Sequence, residues 1–188
     1  MSITRREFNQ IASLAGLHAL LPGAALASAG EPAWQALLGA NLAEEHDYIP
    51  AVEGTLPAGL RGTLYRNGPG LFERDGYRKK MLLDGDGMIQ ALDFSGDAVR
   101  YRNRFVRTPK FIEEEASGRF LQPTRTTLAP GFWNNIPGGR IESQAGVTTY
   151  CVNGVLTAHD EAGQPFALDP STLEDLGEQP VLPGDGPG

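Results

Sequence analysis

The stretch Leu60–Met88, LRGTLYRNGPGLFERDGYRKKMLLDGDGM, decides how this chain is read. It sets Arg66-Asn67-Gly68-Pro69-Gly70 ahead of Asp84-Gly85-Asp86-Gly87-Met88, with short apolar runs on either side. Candidate strands fall at Leu60–Arg66, Tyr77–Leu83, Met88–Phe94 and Ala98–Arg107, because β-branched, aromatic and alternating apolar residues there are bounded by turn formers. Gly85-Asp86-Gly87 and Ser95-Gly96-Asp97 read as turns, since glycine tolerates positive φ and aspartate satisfies nearby backbone donors. Arg66–Gly70 reads as a rigid structural turn rather than a catalytic element.

Further along, Val147–Val152 and Val155–His159 flank Asn153-Gly154, the dipeptide that most favours a two-residue hairpin. Glu161-Ala162-Gly163 then turns the chain into Pro165–Leu168. Helical pattern is confined to Phe111–Ala116 and to residues 31–45 around Trp34, Leu37 and Leu38. Short strands punctuated at close intervals indicate an all-β architecture.

The first thirty residues read as an address. Arg5-Arg6 precedes an apolar run, Ile11–Leu21, and Ala27-Ser28-Ala29 supplies a small-residue cleavage pattern. That order resembles a Tat-type signal peptide over residues 1–29. It implies export to the periplasm or beyond, with no transmembrane span once the signal is removed. A lead-in segment, 30–50, then precedes a β domain over 51–188.

Composition narrows the partners. A formal net charge of −7 and no dense basic stripe exclude a nucleic-acid partner. Arg100, Arg102 and Arg104 alternate along one strand and read as a solvated face. Glu113–Glu115 reads as a solvated helix face. The single cysteine, Cys151, permits neither an internal disulfide nor a paired-cysteine metal site. Asp84-Gly85-Asp86-Gly87 opens like a calcium loop but meets Met88 and Ser95 where later ligands belong.

Taken in order, Val52–Gly62, RNGP, GDGM, Phe105–Thr108, Glu113–Arg119, Asn153–Leu156 and Leu168-Asp169-Pro170-Ser171-Thr172-Leu173-Glu174 resemble the N-terminal portion of the carotenoid cleavage oxygenase family. That family takes in lignostilbene dioxygenases and retinoid isomerases. The resemblance implies a seven-bladed β-propeller and a non-haem Fe(II) held by four histidines. It also implies oxidative cleavage by O₂ of a conjugated C=C bond in an apolar polyene (a carotenoid or apocarotenoid) or a stilbene.

The same comparison defines what these residues lack. A blade takes roughly 40–45 residues, so seven need on the order of 280, and residues 30–188 accommodate only the front blades. The histidines are His18, within the signal, His46 and His159. The last two read as surface or structural, so the expected catalytic, cofactor-binding and metal-ligand set within this sequence is empty. Gln90 stands where members commonly carry histidine after GDGM. Gly146-Val147-Thr148 stands where many carry Asn-Thr-Asn or Glu-Thr-Asn, whose glutamate in some members supports a metal-bound histidine. Two alternatives to the dioxygenase reading are a catalytically silent truncated fragment and a small secreted β binding module.

Overall fold

The computed structural model describes residues 41–135, 142–161 and 163–179. The expected signal segment and most of the helix expected over 31–45 lie outside them, and residues 41–45 carry no helix. The described residues belong to one compact unit beginning at Asn41. No helix among them is long and apolar enough to cross a membrane.

Two four-stranded antiparallel sheets make the body. The first contains β1 (Asp47–Tyr48), β2 (Thr63–Leu71), β5 (Asp86–Asp93) and β6 (Arg100–Phe105), in the order β1-β6-β5-β2. The second is a plain meander of β7 (Thr148–Val152), β8 (Val155–His159), β9 (Phe166–Leu168) and β10 (Asp175–Glu178). A small ribbon of β3 (Glu73–Arg74) and β4 (Tyr77–Arg78) lies between β2 and β5 in the chain. The described residues hold one α-helix, α1 (Pro109–Ser117).

Local chemistry accounts for several of these elements. Asn153 and Gly154 take φ values of 51° and 78°, the paired positive values that match a hairpin turn to strand twist. Helix α1 starts where the Thr108 hydroxyl accepts the Phe111 amide at 3.1 Å with Pro109 in the first turn, and stops at Gly118 with φ 69°. That pairing of a threonine cap with a left-handed glycine is how short helices satisfy their loose ends.

Period-two alternation turns one face of each sheet toward the other. Ile89 and Ala91 of β5, with Val106, meet Leu156 and Ala158 of β8, Phe166 and Leu168 of β9, Ala145 and Leu173. All lie at 3% exposure or less, and each large aliphatic or aromatic member stabilises the fold by about 1.5–3 kcal/mol. On the opposite face of the first sheet, Leu71, Met88 and Phe105 enclose Phe111 of α1.

Long-range pairing overrides the local reading in three places, the first being the expected Gly85-Asp86-Gly87 turn, where Gly85 is extended and Asp86 and Gly87 open β5 opposite Leu71 and Pro69. Arg66–Gly70 is strand, not turn: Asn67 pairs with Ile89, Gly68 with Met88 and Pro69 with Gly87. As β2 is an edge strand, its proline withholds no hydrogen bond that the sheet needs. The expected strand Tyr77–Leu83 is cut short at Arg78, and Leu82–Asp84 form a 3₁₀ turn. That turn delivers Asp84 to the interior at 0% exposure.

Candidate functional site

The two signature motifs come together at the seam where β2 of the first sheet meets β7 of the second. The Asn67 side-chain amide donates to the carbonyls of Ala145 and Thr148, 2.8 Å to each. Two positions earlier, the Tyr65 hydroxyl donates to the Pro170 carbonyl at 2.8 Å. Gly87 donates its backbone N–H to Gln144 O at 2.8 Å, while Val106 N–H donates to Gly87 O at 2.9 Å. A Cβ on Gly146 would approach the Gly85 carbonyl at 3.2 Å, so the segment standing in for the Asn-Thr-Asn block lies tight against GDGM. Gly85 itself leaves no room for a Cβ beside the Phe72 ring, at 2.5 Å.

Behind the seam lies a buried charge cluster. Lys110 Nζ donates to Asp86 Oδ1 and to Glu114 Oε2, 2.7 Å each, and Lys79 Nζ donates to Asp86 Oδ1 at 3.1 Å. The four side chains are at most 2% exposed. Glu114 Oε1 accepts the amides of Leu121 and Gln122 at 2.9 and 3.0 Å, fastening the chain that leaves α1. Asp84 accepts from the Thr126 amide at 3.3 Å and the Thr127 hydroxyl at 2.6 Å.

Two lysines share one carboxylate, yet they titrate in opposite directions. Burial dominates at Lys79, which hydrogen-bonds the Asp86 carboxylate and feels Glu114 only at longer range, and pushes its ammonium down to about 8. Lys110 is buried as deeply but lies between two carboxylates, which together outweigh desolvation and hold it above its ordinary value. Burial of Asp86 opposes ionisation, yet the two ammonium groups keep its carboxyl below the usual range. The Phe120 ring faces the Lys79 ammonium at 4.3 Å and adds attraction for the cation.

This arrangement alters two readings of the sequence. Glu114, read as part of a solvated helix face, is fully buried at 0% exposure. The i,i+4 spacing of Lys110 and Glu114 is the one sequence signal that marks the pair. In the arginine run, Arg102 is buried at 9%. Its neighbours follow expectation more closely: Arg100 forms a two-point pair with Asp47 at 2.6 and 2.8 Å, and Arg104 lies 3.7 Å from Glu45.

His46 and His159 do not converge. His46 is exposed ahead of β1, whereas His159 ends β8 in the other sheet with its ring 5.1 Å from that of Tyr150. Among the described residues no three His, Cys, Asp or Glu side chains assemble as metal ligands. These residues therefore do not fit a four-histidine iron centre, and no chemical step is assigned to them. What the seam does is mechanical: it locks two sheets in register with polar contacts that bulkier residues could not make.

The family described as retinal pigment epithelial membrane protein matches residues 39–185. The chain is 38% identical over 138 residues to the apocarotenoid-15,15'-oxygenase of Synechocystis sp., covering 71% of this chain and 28% of that protein. It is 37% identical over 131 residues to resveratrol cleavage oxygenase 1 of Chaetomium globosum, covering 67% and 21%. The crystal structure of a cobalt-substituted Synechocystis apocarotenoid oxygenase superposes with a TM-score of 0.70 at 37% identity, over 74% of this chain and 30% of that one. The chain belongs to the carotenoid oxygenase family. Its relatives include oxygenases named for apocarotenoid and resveratrol cleavage, and it spans less than a third of their length.

Proposed function

We propose that these residues are the front blades of a seven-bladed β-propeller in an exported non-haem Fe(II) dioxygenase. Its substrate is a carotenoid, apocarotenoid or stilbene, and it cleaves one conjugated C=C bond with O₂ into two carbonyl products. Iron would supply the activation of O₂, and its four histidine ligands are not among the residues of this sequence. The part played here is scaffolding: β2 and β7, edge strands of two facing sheets, are held side by side by Asn67 and by the glycines of GDGM. The observation that carries this reading is that seam, built from the two motifs shared with the family, together with 38% identity to an apocarotenoid oxygenase. The twin-arginine leader supports export through the Tat route to the periplasm.

The test is to express the longest reading frame that encodes these residues, load it with Fe(II), and supply an apocarotenal and resveratrol under ¹⁸O₂. Labelled aldehydes from either substrate are the expected result. A polypeptide that binds iron stoichiometrically but cleaves neither class would overturn the reading. Fusion of residues 1–29 to a folded reporter checks the export route, which should fail when Arg5 and Arg6 are both changed to lysine.

A further inference from the structure

A cavity of about 430 Å³ lies where β3 and α1 face each other, within the size range of small-molecule sites. Buried Leu71, Phe105 and Phe111 give it an apolar floor. The polar groups around it are committed, with one exception. Asn41 serves the backbone, accepting the Phe72 amide at 2.6 Å and donating to Glu73 O at 3.3 Å. Glu73 pairs with Arg78 at 3.5 Å. Arg107 lies 3.4 Å from Glu45 and 2.6 Å from Glu115.

The exception is Arg74. Among the described residues it has no hydrogen-bond or ion-pair partner, and its Nε and Nη2 are enclosed without an acceptor. Its guanidinium carbon lies 5.2 Å from the centre of the Phe111 ring and 5.9 Å from that of Phe120. Those rings hold the cation in place but supply no opposite charge. On Arg100 the same two nitrogens meet Asp47 at 2.6 and 2.8 Å. On Arg74 they meet only packing, and Nη1, which is not among the enclosed atoms, is the nitrogen that an occupant of the cavity can reach.

The charges around the cavity do not balance. Glu45, Glu73 and Glu115 answer Arg78, Arg104 and Arg107, and the charge of Arg74 is left over. An unanswered cation away from bulk water is costly, and an aliphatic side chain would cover the two rings without that cost. A single negative charge on an apolar body completes the site. A phosphate dianion fits less well, because three carboxylates already stand at the rim.

We infer that this cavity binds a small organic monocarboxylate, whose carboxylate meets Arg74 while its apolar body lies on Leu71, Phe105 and Phe111. Charge-assisted bonding to a guanidinium that is already held in place makes the contact specific. The inference goes beyond the cleavage reading and does not depend on it.

Calorimetric titration with 3-phenylpropanoate tests it, on iron-free protein from the longest reading frame that encodes these residues. One equivalent is expected to bind. The amide 3-phenylpropanamide, which keeps the shape without the charge, should bind about tenfold less tightly or weaker still. Arg74→Gln should lose about as much affinity for the acid, with an unchanged circular dichroism spectrum, and Arg74→Lys should recover part of it. Ala43→Phe, at an exposed position on the cavity wall, should block binding while leaving the guanidinium in place. Absence of binding overturns the inference, as does an Arg74→Gln variant that binds like its parent. Where the glutamine variant does not fold, parent-like binding by Ala43→Phe overturns it instead. Equal binding of acid and amide would also overturn it, because the cavity would then select the apolar body alone. So would preferential binding of inorganic phosphate, because the site would then take a bare anion.

Discussion

Gly87 and Ala145 approach so closely that a Cβ on Gly87 would stand 2.3 Å from the Ala145 carbonyl oxygen. The contact joins the start of β5, within the GDGM motif, to the chain entering the second sheet. It is backbone against backbone, so no rotamer change relieves it. Gly87→Ala is expected to destabilise the protein by about 1–3 kcal/mol through overpacking. The urea midpoint should fall with little change in m-value.

Asn67 should behave as a clasp between sheets. Asn67→Leu keeps the bulk but withdraws the donor that serves both Ala145 O and Thr148 O. Leaving such acceptors unmet costs about 1–3 kcal/mol. Hydrogen exchange should show faster opening of β7 than of β5, because β7 loses its tie while β5 keeps strands on both sides. Equal acceleration in both would show that the bond does not act at the seam.

Removal of Lys110 should be the most damaging change in the charge cluster. Lys110→Met leaves Asp86 and Glu114 buried with only Lys79 nearby, and breaking a buried pair in that way costs about 3–5 kcal/mol. Glu114→Gln should be milder, since its remaining carbonyl oxygen can still accept the Leu121 and Gln122 amides. Paired thermal melts check the order. A larger loss for Glu114→Gln would mean that the loop tie outweighs the ion pairs.

The cluster also sets a pH dependence. The folded pKa of Lys79, about 8, lies below its ordinary 10.5. Between those values the unfolded chain binds more protons, so stability should rise with pH. Asp86 and Lys110 do not reverse this in that window. The depressed carboxyl loses its contribution only as pH falls through its lowered value. The raised Lys110 loses its contribution only as pH climbs through a value above 10.5. Urea titrations between about pH 8 and 9.5 should show the slope, and Lys79→Met should flatten it. A slope unchanged by that substitution would remove Lys79 as its source.

Where a structure depends on neighbours in the chain, the sequence was sufficient. The Asn153-Gly154 hairpin, the Ser95–Asp97 turn and helix α1 with its Thr108 cap and Gly118 stop all follow from backbone preferences of a few adjacent residues. The ordered motifs likewise carry the family in the sequence itself.

Tertiary structure decided what those motifs are for. Arg66–Gly70 carries every mark of a turn, yet it is extended because β5 supplies partners for Arg66 through Pro69, with a bulge at Gly70. Glu114 sits in a run of three glutamates that reads as solvated, yet it is buried because Lys110, Leu121 and Gln122 converge on it. Phe132 and Trp133 are each 79% exposed, on a loop whose carbonyls accept hydrogen bonds from Asn134 and Asn135. Local preference acts over three or four residues, whereas burial and charge pairing depend on partners tens of residues away. The chain therefore carried its own punctuation and family in its sequence, while the contents of its interior were set only by closing one sheet on the other.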